Sequence, residues 1–332
     1  MDTISSKSNV NKSNIPTFGE DVEVELPTNE HPLIIRAKSN LNSIEWGRKY
    51  KNQLNDCLTI YGAILIRGFN IGNAEGFNDL FSTVSGDPIK YENRTSPREQ
   101  VYNNVYTSTN HPKHQQIHMH TENSYSLVYN RIIAFFCLVP PLEGGETPIA
   151  DERKLLNSLK QETLEKFNQK KIQYLRNSSP GIGLDWRTIY QTDDKKVVNQ
   201  YLESNEFEYS WVDSDHLRVK WTLSAFQKHP LTNQNLWFNH MYFGLKCHYN
   251  PLVLEYFNEE NLPFATYYGD GSEIEESVIQ EFRDFYSQNS IVFKWEKNDF
   301  LMLDNMMFSH GRNPFKGERK ILTAMSQPVD FH

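Results

Sequence analysis

The chain has 332 residues, 38% hydrophobic and 13% aromatic, and a formal net charge of -8 with acidic and basic residues mixed along its length. That is enough for one large domain or two small ones with a real core, and the aromatic share favours a β-rich interior over a helical bundle. No basic stripe marks a nucleic-acid partner, and no polybasic cluster or lipidation motif marks a membrane surface.

Residues 1–16, rich in Ser, Asn and Lys, read as a disordered tail, and 17–332 as a single domain without internal repeats or a dividing linker. The polar start lacks the apolar core of a secretory signal, and the longest apolar run, 132–141, is too short to span a bilayer. Cys57, Cys137 and Cys247 are far apart with no C-x-x-C pair, which reads as free thiols in a reducing compartment. A cytoplasmic protein is expected.

In chain order, Ile44, Tyr50, Leu54, Cys57 and Leu58 recur at helical spacing over 41–60, with Gly62 just past the end. The β-branched run 63–69 reads as a buried strand, and Phe77, Leu80, Phe81 and Val84 mark a second helix. Residues 117–138 have strand character, with 132–136 central in a sheet. Asp151 is placed to cap a helix through Leu155, Leu156 and Leu159. Ser272 and Glu275 are spaced as a capping box ahead of a helix whose apolar face is Ile274, Val278, Phe282 and Phe285. Strands over 291–295, 300–303 and 321–325 follow. This order predicts a mainly β sandwich or barrel with flanking helices, not the regular alternation of a parallel α/β fold.

Histidines cluster at 111, 114, 118 and 120, a pattern that alone suits a solvated loop. His120-Thr121-Glu122 adds an imidazole and a carboxylate at i and i+2, which an extended strand turns to one face; His118 shares that parity. His310 lies between a strand ending at Leu303 and a Gly/Pro turn, where a histidine bonded to backbone is the bland alternative. Two histidines and one carboxylate are the donor set of non-haem Fe(II) oxygenases, and three ligands on one face leave positions open for co-substrate and dioxygen. Arg319 could pair bidentately with a distant carboxylate of a keto acid. Gly144-Gly145-Glu146-Thr147 is either a hairpin loop or a close-approach turn that offers the Thr147 hydroxyl.

Taken in order, YGAILIRGF, RTSPREQVYNNVYTST, HMHTENSYS, FFCLVPPLEGGETPIAD, LWFNHMYFG and FLMLDNMMFSHGRNPFKGERKILTAM resemble the taurine dioxygenase and clavaminate synthase-like superfamily. The resemblance covers about 62–326 and is nearest to the branch of syringomycin-type aminoacyl hydroxylases, in which Glu often stands for Asp, as at Glu122. It implies a double-stranded β-helix, a distorted jelly roll, with Fe(II) on His120, Glu122 and His310. It also implies 2-oxoglutarate held by Arg319 and Thr147, and O2 as the second co-substrate. Glu122 argues against halogenation, which needs a small residue there. Arg98, Gln116, Asn123 and Trp237 lie in matching segments and are the candidate substrate contacts.

The implied activity is hydroxylation of an unactivated C–H bond of an amino-acid-like substrate in natural-product biosynthesis. Desaturation, epoxidation or ring closure are the alternatives with the same iron chemistry, and a metal-binding β-barrel sensor is the non-enzymatic one. One departure bears on substrate. The taurine enzyme keeps a substrate-gripping arginine four residues after the co-substrate arginine, where this chain has Thr323. A substrate with its acid masked, as in a thioester on a carrier protein, needs no such grip. Lys113, Lys316 and Lys320 could meet the carrier's acidic surface.

Overall fold

The computed structural model describes residues 16–91, 98–108, 111–178, 181 and 183–331; the expected tail lies outside them but for residue 16. Strands β1 (Val22–Glu25) and β2 (Leu33–Ala37) lead into helix α1 (Ser43–Tyr61), β3 (Ala63–Arg67) and α2 (Ala74–Ser85). α1 starts where the Asn42 side chain accepts the Ile44 and Glu45 amides. It stops at Gly62, whose φ of 76° returns its amide to the Leu58 carbonyl. A Cβ there would also lie 2.6 Å from the Phe308 ring.

Next come β4 (Gln100–Tyr102), β5 (Val105–Thr107), β6 (Ile117–His120), β7 (Val128–Val139), β8 (Glu143–Gly144) and β9 (Ile149–Asp151). Helices α3 (Glu152–Ser158) and α4 (Gln161–Lys170), strand β10 (Ile172–Ser178), and helices α5 (Trp186–Tyr190) and α6 (Lys195–Ser204) follow. Then β11 (Glu208–Trp211), β12 (Leu217–Leu223), β13 (Phe226–Lys228) and β14 (Asn235–Trp237) precede α7 (Pro251–Tyr256), β15 (Phe264–Tyr268) and α8 (Glu276–Asn289). The chain closes with β16 (Phe300–Asp304), β17 (Phe308–Arg312), β18 (Phe315–Lys316) and β19 (Lys320–Asp330).

The main sheet has eight strands in the order β1-β2-β3-β16-β7-β19-β5-β4, antiparallel except for β2 beside β3. Its central strands are apolar on both faces because both are covered. Ile132, Ala134, Phe136, Met302 and Leu322 face α1 and α2, packing on Leu54, Phe77 and Phe81. Their chain neighbours Ile133, Phe135, Leu301, Leu303 and Ile321 face the other way, onto Ile149 and Phe308 of the small sheet β6-β17-β9. The two facing sheets form the jelly roll, and burial of each large side chain between them contributes about 1.5–3 kcal/mol. A further sheet, β11-β12-β10-β15, builds a third core with α3, α4, α6 and α8.

Three local expectations need correction. Residues 117–138 are not one strand: β6 ends at His120 and β7 begins at Val128, with Asn123 at a left-handed φ of 56° in the turn between. Residues 291–295 bury Ile291, Phe293 and Trp295 in alternation, but pair only through Ile149 and Ile291, so packing and not a ladder holds them. α8 exists without the capping box. Ser272 bonds Asp270, while Glu275 accepts from Tyr268 at 2.8 Å, so neither side chain caps the helix. The Asp151 cap is present, accepting the Arg153 amide.

Candidate active site

His310 sits inside β17, directly opposite His120 on β6 in the antiparallel register, and is not a turn histidine. Directly opposed residues project to one face about 5 Å apart, and the two rings stand 4.4 Å apart. Glu122 follows two residues after His120, already past the strand, so strand alternation alone does not place it. Asn305 does: its Oδ1 accepts the Glu122 amide at 2.8 Å, and its Nδ2 donates to the Glu122 and Asn130 carbonyls at 2.9 and 2.8 Å. Glu122 Oε2 then lies 3.9 Å from His120 Nε2 and 3.8 Å from His310 Nε2.

The protonation states fit a metal. His120 Nδ1 lies 2.8 Å from the His118 carbonyl, which can only accept, so the proton is on Nδ1 and the Nε2 lone pair faces the cluster. Burial, then the neighbouring His310 and His240, hold His120 well below its ordinary pKa; burial also lowers His310. Burial alone would raise the Glu122 carboxyl, but the Arg98 guanidinium, donating at 2.7 Å, outweighs it and holds it ionised. Two neutral imidazoles and one carboxylate within 4.8 Å of one another form a donor set for a divalent ion.

These three residues line a cavity of about 600 Å³. Arg319 lines the same cavity. Its fork is held by the Gly145 carbonyl at 2.8 Å and the Thr147 hydroxyl at 3.2 Å, with the Ser108 hydroxyl at 3.4 Å. Gly145 makes room for it: at φ 69°, a Cβ there would lie 3.0 Å from the Arg319 Cδ and 2.9 Å from the Phe315 Cβ. No carboxylate pairs with Arg319 among the described residues; burial and the nearby Arg312 pull its pKa down to about 9, still charged at neutral pH. Arg312, the next arginine along from His310, is spent on the carbonyls of His111, Pro112 and Gln115, tying that loop over the cavity.

Of the candidate substrate contacts, Arg98 and Gln116 reach the cavity wall, and Arg98 donates to Glu122 Oε2 at 2.7 Å. Asn123 and Trp237 are not on that wall. Asn123 is buried with its oxygen accepting from Tyr125 at 3.1 Å, and Trp237 packs on Phe167 and Phe282 in the third core. Thr323 is likewise off the wall, fully buried with its hydroxyl on the Ala134 carbonyl at 3.0 Å. Tyr91, Asn305 and His240 were not anticipated. Asn305 adjoins the recognisable run to His310; Tyr91, which donates to Glu122 Oε1, carries no local signal.

No helix among the described residues is long and apolar enough to cross a membrane. The family profile described as taurine catabolism dioxygenase TauD, TfdA family matches residues 30–325. The dapdiamide synthesis protein DdaC of Enterobacter agglomerans is 35% identical over 303 residues, spanning 90% of this chain and 92% of that protein. A clavaminate synthase-like protein of Arabidopsis thaliana is 25% identical over 289 residues, 83% of this chain and 84% of that one. Among solved structures, PvcB of Pseudomonas aeruginosa matches with a TM-score of 0.53 at 14% identity, over 94% of this chain and 92% of that one. PvcB is described as an Fe, α-ketoglutarate dependent oxygenase from an isonitrile synthetic pathway. AAD-2, solved with Mn(II) and N-oxalylglycine, matches with a TM-score of 0.52 at 13% identity, over 93% of this chain and 98% of that one. The chain belongs to the TauD/TfdA family and is an Fe(II)- and 2-oxoglutarate-dependent dioxygenase on a jelly-roll fold.

Proposed function

We propose that His120, Glu122 and His310 hold Fe(II), that Arg319 and Thr147 take the distal carboxylate of 2-oxoglutarate, and that the enzyme hydroxylates an unactivated C–H bond of an amino-acid-like substrate. The observation that carries this reading is the pairing, in one cavity, of the three-donor cluster with a guanidinium that has no carboxylate partner among the described residues. Fe(II) with 2-oxoglutarate and O2 supplies the oxidising chemistry, which releases succinate and CO2. The chain's own residues orient and enclose. Arg319 presents a planar fork to a carboxylate. His120 and His310 stay neutral, and the rings of Phe135 and Phe243 flank them and keep water away from their faces.

The wall also bears on substrate form. It carries Arg98, Arg312 and Arg319 but, among the described residues, no carboxylate other than Glu122. Arg98 is engaged by Glu122, Arg312 by backbone carbonyls and Arg319 by the co-substrate, so among the described residues no arginine of the wall is left to grip a substrate acid. Thr323 offers no grip on a free acid, which agrees with an acid masked as a carrier-protein thioester. Lys113, Lys316 and Lys320 are exposed, and the Lys113 carbonyl accepts the Phe315 amide at 2.9 Å, so the segments bearing Lys113 and Lys316 run side by side. DdaC is named for dapdiamide synthesis and PvcB for an isonitrile pathway, and both support a natural-product setting.

The test is a screen of amino acids, free and as carrier thioesters, for substrate-stimulated succinate and for a product heavier by one oxygen. Tethered units should stimulate well and free ones poorly. Coupled hydroxylation of a free amino acid with no gain on tethering would remove the carrier. A product lighter by two hydrogens would replace hydroxylation with desaturation.

A further inference from the structure

The two oxygens of Glu122 have different surroundings. Oε2 faces His120 Nε2 and His310 Nε2 at 3.9 and 3.8 Å, and also accepts from Arg98 Nη2 at 2.7 Å. Oε1 accepts from the Tyr91 hydroxyl at 2.5 Å. That phenol is itself fixed. Tyr91 is buried, its amide donates to the Tyr106 hydroxyl at 3.3 Å, and the Arg98 guanidinium lies over its ring, 4.6 Å from the centroid.

The reaction constrains how many oxygens the carboxylate can give. Two histidines and one carboxylate oxygen would leave a bound metal ion room for the keto acid and for dioxygen. A carboxylate that bound through both oxygens would take part of that room. Glutamate is one methylene longer than aspartate and has the freedom to swing its second oxygen inward. The Asn305 clamp holds the Glu122 backbone but does not reach its carboxylate.

We propose that Tyr91 is a positioning residue that restricts Glu122 to a single metal-facing oxygen, keeping a coordination position open for the co-substrates. The inference rests on the metal-site reading above. It gives Tyr91 a role that neither a packing ring nor a general stabiliser of the site would have, because its loss should tighten one equilibrium and weaken another. With the hydroxyl gone, Oε1 is free to join the metal, which gains a donor while 2-oxoglutarate loses a place.

The experiment uses the full chain with Tyr91→Phe, anaerobically, titrated first with Mn(II) and Fe(II) and then, metal-loaded, with 2-oxoglutarate. The expected result is a split: metal affinity equal to or above wild type, and 2-oxoglutarate affinity lower by about tenfold or more, in the range typical for outer partners of metal ligands. Infrared difference spectra of metal binding to wild type, with labelled glutamate carboxyls, read the same point without a variant. They should show the carboxylate stretches of one-oxygen ligation. Equal losses of metal and 2-oxoglutarate affinity in Tyr91→Phe, no change in either, or two-oxygen ligation in wild type would each overturn the inference while leaving the metal site standing. Wild-type protein that bound no metal would overturn the site reading itself, and this inference with it.

Discussion

Replacing Arg319 with Ala separates co-substrate binding from both metal binding and folding. Losing one member of an enclosed, hydrogen-bonded charge pair costs about 2–5 kcal/mol, roughly 30-fold to a few thousand-fold in dissociation constant. Arg319 is partly and not wholly enclosed, so the lower half of that range applies. The metal-free protein should hardly notice. Burial and the nearby Arg312 pull the guanidinium down to about 9, outweighing the opposing influence of Cys137 and Glu146, so the fold carries a net unfavourable charge that Ala removes. The hydrogen bonds that go with the side chain are those to the Gly145 carbonyl and the Thr147 hydroxyl and a longer one to the Ser108 hydroxyl, and the Thr147 hydroxyl still accepts from Trp295 at 3.2 Å. The melting temperature should therefore be unchanged or higher. Arg319→Lys keeps the charge, loses the fork and should fall between. The assay is anaerobic titration of 2-oxoglutarate into Fe(II)-loaded protein, followed by the visible charge-transfer band, with Fe(II) affinity measured separately. A 2-oxoglutarate affinity within about threefold of wild type, or an equal fall in Fe(II) affinity, would refute the reasoning.

His120→Ala and His310→Ala should each abolish stoichiometric metal binding, since each removes one of three protein donors; near-normal turnover by either variant would contradict the ligand set. Asn305→Ala should destabilise the fold by leaving the Glu122 amide and the Asn130 carbonyl unpaired in a buried site, about 1–3 kcal/mol each. An unchanged urea midpoint would count against the clamp. The metal-free protein should lose stability as pH falls from 6.5 towards 4, because burial lowers His118 and His240 to about 4 and His248 to about 3. In that window the unfolded chain binds protons that the folded rings refuse, so stability is full above 6.5 and lost on acidification. Glu152, pushed up to about 8 by burial, works in the opposite sense over that range, but three rings outweigh one carboxyl. A flat urea midpoint between pH 7 and pH 5 would contradict this.

The parts of the fold legible in the sequence are those whose cause is local. α1 could be read because Gly62 ends it with a left-handed turn, and the centre of β7 because both faces of its sheet are covered and its residues are apolar without a break. The cap at Ser272 misled because Asp270, two residues earlier, offers Ser272 a nearer partner, while Tyr268 and Lys166 draw Glu275 away. At the site, the His120–Glu122 spacing pointed to the right pair for an incomplete reason. Alternation carries His120, but Glu122 lies beyond the strand and is set by Asn305, distant in sequence. His310 could be named but not put on a strand, because its partners on β6 and β9 lie far upstream. Trp237 and Asn123 show the limit of reading by segment: each lies near a cavity residue in sequence, yet its side chain turns into the core. Tyr91 had no legible signal, since its contact with Glu122 exists only after the main sheet closes.

The most direct test of the account is to add Fe(II) and 2-oxoglutarate to the purified chain without oxygen and record the visible spectrum of wild type, His310→Ala and Glu122→Ala. A charge-transfer band is expected that saturates at one iron and one 2-oxoglutarate per chain, and that is lost in both variants. A wild-type spectrum without the band, or a band that survives both substitutions, would contradict the assignment of the iron to His120, Glu122 and His310.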